Sequence, residues 1–122
     1  MNVLVVEDVP NVALTFAGLI RAYGHRAQVV FSAEQALQIA REFRPQTVFI
    51  DIGLPEMDGY ELARRLRGID ELAGSILISV SGSAGDPERF RQSGLNHHLT
   101  KPVALDALIG ILDQKAKVDF AR

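Results

Sequence analysis

Five charged or hydroxyl residues stand at or just after the carboxyl ends of short, mostly apolar segments. They are Glu7, Asp8, Asp51, Ser81 and Lys101. A carboxylate at the end of a buried strand is costly unless its charge is used or compensated nearby. If the segments are parallel strands of one sheet, their carboxyl ends meet at one edge, and we expect the five side chains to lie together there.

The residue types in this group suit the transfer of a phosphoryl group to a carboxylate. The carboxylates of Glu7, Asp8 and Asp51 would repel one another in a partly desolvated cleft, and a hard divalent cation relieves such repulsion best. Oxygen ligands with room for water favour Mg²⁺. An ionised Asp51 needs no general base to act as a nucleophile. Lys101 and Ser81 could balance the charge of the transferred group.

The composition limits the class of protein. The chain has 122 residues, a net charge of −2 and no cysteine. This length fits one domain, residues 1–122, and the charge gives no sign of direct binding to nucleic acid or to an acidic membrane. A disulfide framework is excluded, and the apolar runs are too short to span a bilayer. With no secretory leader before the first strand, we expect a cytoplasmic protein.

Strand-like and helix-like patterns alternate five times, which predicts an α/β fold with a parallel sheet. Residues 3–6, 47–50 and 76–80 are nearly all apolar, as expected of central strands covered on both faces. Residues 26–31 and 96–99 are more polar, and we expect them at the edges. The strand order 2-1-3-4-5 follows, in a doubly wound, flavodoxin-like sandwich of three layers with five parallel strands.

Apolar stripes and capping residues predict the helices. The first helix follows Pro10. Its stripe consists of Val12, Phe16, Leu19, Ile20 and Tyr23. Ser32 and Asp58 are expected to cap the second and third helices. The fifth helix is expected to bury Leu105, Leu108, Ile109 and Leu112. The fourth has only Phe90 as a large apolar residue, so we expect it to dock weakly and to move readily.

Four stretches of the sequence together resemble the receiver domain of bacterial two-component response regulators. The stretches are Val5-Val6-Glu7-Asp8, Asp51 to Gly59, Ser81-Gly82, and Leu99-Thr100-Lys101-Pro102. The resemblance covers almost the whole chain. Receivers also have the strand order 2-1-3-4-5, so the order and the resemblance are not independent. The stretches Asp51 to Arg67 and Asn96 to Val103 are more similar to receivers attached to hybrid sensor kinases.

The resemblance implies that Asp51 takes a phosphoryl group from a sensor histidine kinase or a histidine phosphotransfer protein. The Mg²⁺ ligands would be Glu7, Asp8, Asp51 and the backbone carbonyl of Gly53. Ser81 would turn toward the phosphoryl group, and Lys101 would pair with it. Hydrolysis would reset this signalling switch, so the domain would be no enzyme beyond slow autodephosphorylation. A downstream partner would bind the face formed by the fourth helix, strand 5 and the fifth helix.

One position departs from the family pattern. Receivers usually have Tyr or Phe two residues before the Thr-Lys-Pro stretch, where this chain has His98. Its ring is planar and bulky enough for the same space, but it is polar and can titrate near neutral pH. We expect His98 to act with Ser81 as the switch pair, with a small or pH-dependent conformational change. Equal phosphorylation-linked spectral shifts at about pH 6 and pH 8 would contradict the pH-dependent form. His97 should point to the opposite face, so the two histidines should not form one site.

Three other functions compete with this interpretation. A phosphatase of the haloacid-dehalogenase type also phosphorylates a strand-end Asp, but its second catalytic Asp corresponds here to Gly53. A flavodoxin-like nucleotide binder would have a Gly-rich phosphate loop after strand 1, where Glu7 and Asp8 would repel phosphate. A degenerate receiver would act only as a protein-interaction module, although the acidic pair, Asp51 and Lys101 are all present. Incubation with Mg²⁺ and acetyl phosphate distinguishes these functions.

Overall fold

The computed structural model describes residues 1–121, and strands and helices alternate along them. The strands are β1 (Asn2–Val6), β2 (Arg26–Val30), β3 (Thr47–Asp51), β4 (Ile76–Ser81) and β5 (His97–Thr100). The helices are α1 (Pro10–Ala22), α2 (Ala33–Phe43), α3 (Gly59–Arg67), α4 (Pro87–Ser93) and α5 (Leu105–Ala121). A short 3-10 helix, Asp70–Leu72, leads into β4. Across the described residues, no helix is both long and apolar enough to cross a membrane. Arg122, the last residue of the predicted domain, lies outside the described range.

The strands form one parallel sheet in the order β2-β1-β3-β4-β5, which confirms the predicted order. Val6 pairs with Ile50, and Ile50 pairs with Ser79, so the carboxyl ends of β1, β3 and β4 are nearly level. The central strands are almost wholly buried, whereas β2 and β5 contain exposed residues. This difference is expected when helices cover both faces of the central strands.

Each face of the sheet has its own hydrophobic core. Against α2 and α3 lie Leu4, Val6, Val48 and Ile50. Against α1 and α5 lie Val3, Val5, Phe49 and Ile78. Successive strand residues alternate between the two cores because their side chains point to opposite faces. Phe49 is buried and meets Phe16 of α1 edge to face, with 4.9 Å between ring centroids. Burial of a side chain of this size contributes ~2–3 kcal/mol.

The predicted helix caps are present. Ser32 Oγ accepts a hydrogen bond from the Gln35 backbone N–H at 3.2 Å, and Asp58 Oδ1 accepts one from Glu61 N–H at 3.0 Å. Asp86 caps α4 in the same way. Each cap satisfies a backbone donor that the helix itself leaves free. The cap of α3 matters most for function, because it fixes where the loop that follows Asp51 turns into a helix.

The apolar stripe predicted for α1 was wrong in part. Ile20 is buried, but Val12, Leu19 and Tyr23 are 40%, 38% and 48% exposed. Two small residues, Ala13 and Ala17, are buried instead, so the face of α1 that packs on the sheet is rotated from the predicted stripe. The same error affects Leu105 of α5, which is 42% exposed.

Two predicted strand ends also shift. The first edge strand ends at Val30 instead of residue 31, and Phe31 is exposed. The second runs from His97 to Thr100 rather than over residues 96–99, because Asn96 turns its side chain to the Leu77 backbone N–H at 2.8 Å. Boundaries of this kind are set by single hydrogen bonds rather than by the apolar pattern.

Polar contacts hold α4 in place. Phe90 is its one large apolar residue and packs, half-buried, against the core, as predicted. At its amino end, Arg89 forms an ion pair with Asp58 and lies over the Tyr60 ring, 4.6 Å from the centroid. Beyond its carboxyl end, Arg67 of α3 donates to the Gly94 carbonyl at 2.8 Å. The sequence-based expectation of sparse apolar docking is therefore met, but α3 supplies polar attachments that the apolar pattern did not reveal.

Candidate functional site

The three acidic residues that were predicted to meet at the sheet edge do so. One carboxylate oxygen from each of Glu7, Asp8 and Asp51 lies within 4.8 Å of the others. The register that pairs Val6 with Ile50 brings the ends of β1 and β3 level and so places these residues side by side. The side chains of Glu7 and Asp51 are only 6% and 12% exposed, so their charges interact in a poorly screening medium.

Lys101 reaches this acidic cluster from beyond β4. Its Nζ lies 2.8 Å from Glu7 Oε1 and 3.9 Å from Asp51 Oδ1. The backbone N–H of Lys101 donates to the Ser81 carbonyl at 2.7 Å and so ties the end of β5 to the end of β4. Partial burial by itself would lower the pKa of Lys101, but the hydrogen bond to Glu7 and the charge of Asp51 raise it above its usual value. Lys101 therefore remains positively charged within the cluster.

Asp51 is the most perturbed carboxyl group of the cluster. Burial and the hydrogen bond with the Glu7 side chain raise the pKa of Asp51 to about 6. The backbone N–H of Gly53, which donates to Asp51 Oδ1 at 3.0 Å, and the charge of Lys101 act in the opposite direction. Because burial and the contact with Glu7 disfavour the charged form, added positive charge beside the carboxylate would favour the ionised form of Asp51.

Gly59 lets the first turn of α3 approach this edge closely. A Cβ added at Gly59 would lie 2.7 Å from the Asp51 carbonyl oxygen and 2.9 Å from Ile50 Cγ2. The Gly59 N–H also donates to the Ile52 carbonyl at 3.1 Å. The helix therefore packs directly on the backbone that carries Asp51. Sequence reasoning treated Gly59 only as part of a motif and missed this packing role.

Ser81 stands at the end of β4, as predicted, but its hydroxyl is engaged elsewhere. Ser81 Oγ donates to the Ser83 carbonyl at 2.6 Å. This contact closes a short turn within the loop between β4 and α4. The structure thus brings Ser81 to the correct edge of the sheet and shows one orientation of its hydroxyl, which points into its own loop.

His98 and His97 lie on different faces, as predicted. His97 is exposed, whereas His98 is half-buried and contacts three polar groups, one of which is the Ser81 hydroxyl, 3.4 Å from His98 Nε2. His98 Nδ1 lies 2.7 Å from Ser79 Oγ, and His98 Nε2 lies 2.9 Å from the Ser83 carbonyl oxygen. Sequence reasoning missed Ser79. Its signal was a single hydroxyl in the otherwise apolar strand from Ile76 to Val80.

An apolar groove opens beside the acidic cluster between α1 and α5. Its volume is about 510 Å³, and its lining includes Val12, Phe16, Leu19 and Leu105, together with Asp51. All four of these apolar residues were predicted to lie in the core, yet Val12, Leu19 and Leu105 are well exposed. Exposed apolar surface next to a charged site is typical of a place where another molecule binds.

Comparison with known proteins identifies the family. A family model described as the response regulator receiver domain matches residues 3–113 of the chain. The chain belongs to the response regulator receiver domain family. All five strand-end residues of the site lie within the matched range, and the resemblance drawn from the sequence is confirmed.

This receiver is similar to characterised members over most of its length. It is 36% identical over 110 residues to the polar-differentiation response regulator DivK of Brucella anthropi, with 88% of this chain and 89% of DivK covered. A CheY-like receiver domain from Methylobacillus flagellatus matches its fold with a TM-score of 0.85 and 30% identity, over 94% of this chain and 98% of that one. The three-layer, CheY-like fold predicted from the sequence is thereby confirmed.

One structural relative bears on the metal. The receiver domain of the sensor histidine kinase PA1611 from Pseudomonas aeruginosa has a TM-score of 0.83 and 30% identity, over 93% of this chain and 94% of that one. That protein was crystallised with a magnesium ion coordinated in its active-site cleft. In this receiver, Glu7, Asp8 and Asp51 offer oxygen donors in a compact cluster with excess negative charge, which suits a hard divalent cation.

Proposed function

We propose that this receiver is a phosphoacceptor switch in a two-component phosphorelay and that Asp51 is the acceptor. The observation that carries the proposal is the convergence of Glu7, Asp8 and Lys101 on Asp51 at the carboxyl edge of the sheet. An Asp51 oxygen would form a bond to phosphorus while the bond from phosphorus to the imidazole nitrogen of a phosphohistidine donor breaks. The donor imidazole would leave as a neutral or protonated histidine, and Asp51 would become an acyl phosphate.

The surrounding residues have distinct roles in this proposal. Glu7, Asp8, Asp51 and the backbone carbonyl of Gly53 would hold Mg²⁺, which supplies positive charge for the phosphoryl oxygens. Lys101 would move from Glu7 to pair with the phosphoryl group, because its Nζ already lies within 4 Å of Asp51. Ser81 would turn from the Ser83 carbonyl to donate to a phosphoryl oxygen. Water would later attack phosphorus, releasing phosphate slowly, so we expect no turnover of external substrates.

The proposed partners use two different surfaces. The apolar groove between α1 and α5 supports contact with a phosphohistidine-bearing kinase or phosphotransfer protein, because Asp51 is part of its lining. The downstream partner would bind the face formed by α4, β5 and α5, because α4 exposes most of its surface. The two surfaces adjoin at α5, which contributes to both. A cytoplasmic location stays a prediction.

The test of the proposal is incubation with acetyl phosphate and Mg²⁺. The wild-type chain should gain one phosphoryl group per molecule, stable in acid and labile in base, and intact-mass spectrometry should count it. Asp51→Asn should gain none, whereas Asp70→Asn, which alters an exposed carboxylate before β4, should behave as the wild type. Absence of the phosphoryl group in the wild type would favour a pure interaction module. Turnover of many equivalents of a phosphate ester would favour a phosphatase.

The groove can be tested with any phosphohistidine protein that phosphorylates the wild-type chain. Leu19→Glu places a charge in the groove and should slow this protein-dependent reaction at least about tenfold, as expected when an anchoring contact is lost. Phosphorylation by acetyl phosphate should continue. Leu14→Glu is the matched control, because Leu14 is exposed on the same helix and is not part of the groove lining. Equal rates for the two variants would contradict docking in the groove.

A further inference from the structure

The imidazole of His98 joins β4, β5 and the loop that follows β4. Its Nδ1 contacts the buried Ser79 hydroxyl at 2.7 Å, and its Nε2 contacts the Ser83 carbonyl at 2.9 Å. A carbonyl only accepts hydrogen bonds, so Nε2 carries the proton, and in the neutral ring Nδ1 accepts from Ser79. One tautomer of neutral His98 therefore satisfies both contacts.

The loop from residue 82 to residue 86 covers this ring. Gly85 has a positive φ of 77°, and a Cβ added there would lie 3.5 Å from His98 Cε1. The next residue, Asp86, donates its backbone N–H to Tyr60 Oη at 2.7 Å. The loop is thus held at two points, and His98 cannot change its orientation without breaking a hydrogen bond to the loop.

Ser81 and His98 share the same acceptor. The Ser81 hydroxyl donates to the Ser83 carbonyl at 2.6 Å, and the His98 Nε2–H donates to the same oxygen at 2.9 Å. His98 Nε2 also lies 3.4 Å from Ser81 Oγ, a longer contact than the one to the carbonyl. The carbonyl that His98 fixes is therefore the group that keeps the Ser81 hydroxyl in its own loop. A Phe at position 98 would lack this donor.

We propose that His98 is a positioning residue: its Nε2–H fixes the Ser83 carbonyl, and that carbonyl retains the Ser81 hydroxyl until a phosphoryl group on Asp51 attracts it. The second half of this inference rests on the proposed function. The first half concerns the unphosphorylated protein and stands on the hydrogen bonds alone. Loss of the His98 donor should loosen the loop and make Ser81 easier to recruit.

Three substitutions separate the two nitrogens of the ring. In His98→Gln, the side-chain amide nitrogen occupies a position similar to that of Nε2 and can still donate to Ser83. In His98→Asn, the amide reaches only the position of Nδ1, toward Ser79. His98→Phe keeps a ring of similar size and removes both contacts. Gln is therefore the conservative variant, and Asn is its matched control.

The first measurement is amide hydrogen exchange in residues 82–86 of the unphosphorylated full chain. His98→Asn and His98→Phe should exchange about fivefold faster than the wild type, as expected for the loss of one neutral hydrogen bond. His98→Gln should restore slow exchange. In the wild type, ¹⁵N-resolved NMR of the imidazole should show the proton on Nε2.

The second measurement is the binding of beryllofluoride, an analogue of the phosphoryl group, in the presence of Mg²⁺. The same two variants should bind it about fivefold more tightly than the wild type, and His98→Gln should bind as the wild type. Thermal unfolding of each variant shows that it is folded.

The inference would be overturned if residues 82–86 exchanged their amide hydrogens as slowly in His98→Asn and His98→Phe as in the wild type. A proton on Nδ1 in the wild type would also overturn it. Faster loop exchange with unchanged beryllofluoride binding would overturn its second half. If the wild-type protein binds no beryllofluoride at all, the proposed function fails, whereas the exchange and NMR results still decide whether His98 fixes the Ser83 carbonyl. If the Phe variant does not fold, the Gln and Asn pair decides the outcome.

Discussion

The carboxyl group of Asp51 has a raised pKa because it is buried and hydrogen-bonded to Glu7 at the sheet edge. Burial and the hydrogen bond with the Glu7 side chain raise its pKa to about 6, from an ordinary value of 3.8. In the unfolded chain this carboxyl group would titrate at its ordinary value. Between these two values the folded state holds more protons than the unfolded state, so the free energy of unfolding falls as the pH rises through this range.

Replacement of Asp51 should therefore stabilise the protein when no divalent cation is present. At about pH 7.5 with a chelator, Asp51→Asn should raise the free energy of unfolding by about 3 kcal/mol, because the pKa shift is slightly more than two units and each unit corresponds to roughly 1.4 kcal/mol. Below about pH 4, where the unfolded chain is also protonated, the gain should vanish. Urea denaturation at several pH values measures both effects. Asp113→Asn, on the exposed side of α5, is the control and should change little. A less stable Asp51→Asn protein at neutral pH would contradict the argument.

At the scale of single elements, close packing decides where α3 begins. Gly59 touches the backbone of Asp51 and Ile52, with no space for a Cβ. Gly110 in α5, in contrast, has nothing within 4 Å of the position where a Cβ would stand. The two glycines both lie in helices, and they differ in their surroundings.

Alanine at these two glycines should have opposite effects. Gly59→Ala should lower the free energy of unfolding by about 1–3 kcal/mol, because the methyl group must push α3 away from β3. Gly110→Ala should raise it by about 0.5–1 kcal/mol, because alanine is the better helix former. Chemical denaturation measures both changes. Gly59→Ala should also slow phosphorylation by acetyl phosphate, since the displaced helix moves the backbone of Asp51. Equal stabilities would refute the importance of this contact.

Arg67 connects α3 to the segment before β4 and to the segment after α4. It donates to the Ser75 carbonyl at 2.9 Å, to the Gly94 carbonyl at 2.8 Å and to Asn96 Oδ1 at 2.9 Å. Its charge is partly buried, and burial lowers the pKa of Arg67 below its usual value. Because several acceptors depend on one guanidinium group, its removal should be costly.

Arg67→Ala should therefore lower the free energy of unfolding by about 2 kcal/mol, as expected for charge-assisted hydrogen bonds. Arg64→Ala is the control on the same helix. Arg64 is well exposed and, among the described residues, pairs with Glu61, so the control should change stability by less than about 0.5 kcal/mol. Urea unfolding compares the two variants. A similar loss in both would show that Arg67 contributes no more than a surface charge.

At the scale of the whole molecule, the acidic cluster should link metal binding to folding. Mg²⁺ at about 100 times its dissociation constant should raise the free energy of unfolding by about 2.7 kcal/mol, because only the folded chain assembles the cluster. The stabilisation should be visible in thermal unfolding. Asp8→Asn should weaken it, and Asp70→Asn should not. A thermal shift that is the same in the wild type and Asp8→Asn would place the bound ion elsewhere.

Much of the fold and the acidic cluster could be predicted because strand burial determines strand order. The apolar runs before Glu7, Asp51 and Ser81 marked central strands, and parallel central strands bring their carboxyl ends together. The stripe on α1 was less reliable, because apolar residues lie on more than one face of this helix and periodicity did not show which face contacts the sheet. Leu19 therefore lined a groove rather than the core.

Contacts made by side chains across strands could not be predicted. Ser79 and His98 are 19 residues apart, and their hydrogen bond depends on register and ring orientation. The Arg67 contacts to Gly94 and Asn96 likewise depend on where one long side chain turns. A pattern of polar and apolar residues carries no information about such directions, which explains why the polar attachment of α4 was missed.

The attachment of α4 has a consequence for how a signal could leave the molecule. Hydrogen bonds depend steeply on distance and angle, so a slight rotation of a helix weakens them more than it weakens apolar contacts. Arg89 pairs the amino end of α4 with Asp58, and Arg67 binds the Gly94 carbonyl just beyond its carboxyl end. Dissolved salt screens the ion pair between Arg89 and Asp58, because both side chains are partly exposed. We therefore expect the ionic strength of the solution to set how readily α4 is released from α3.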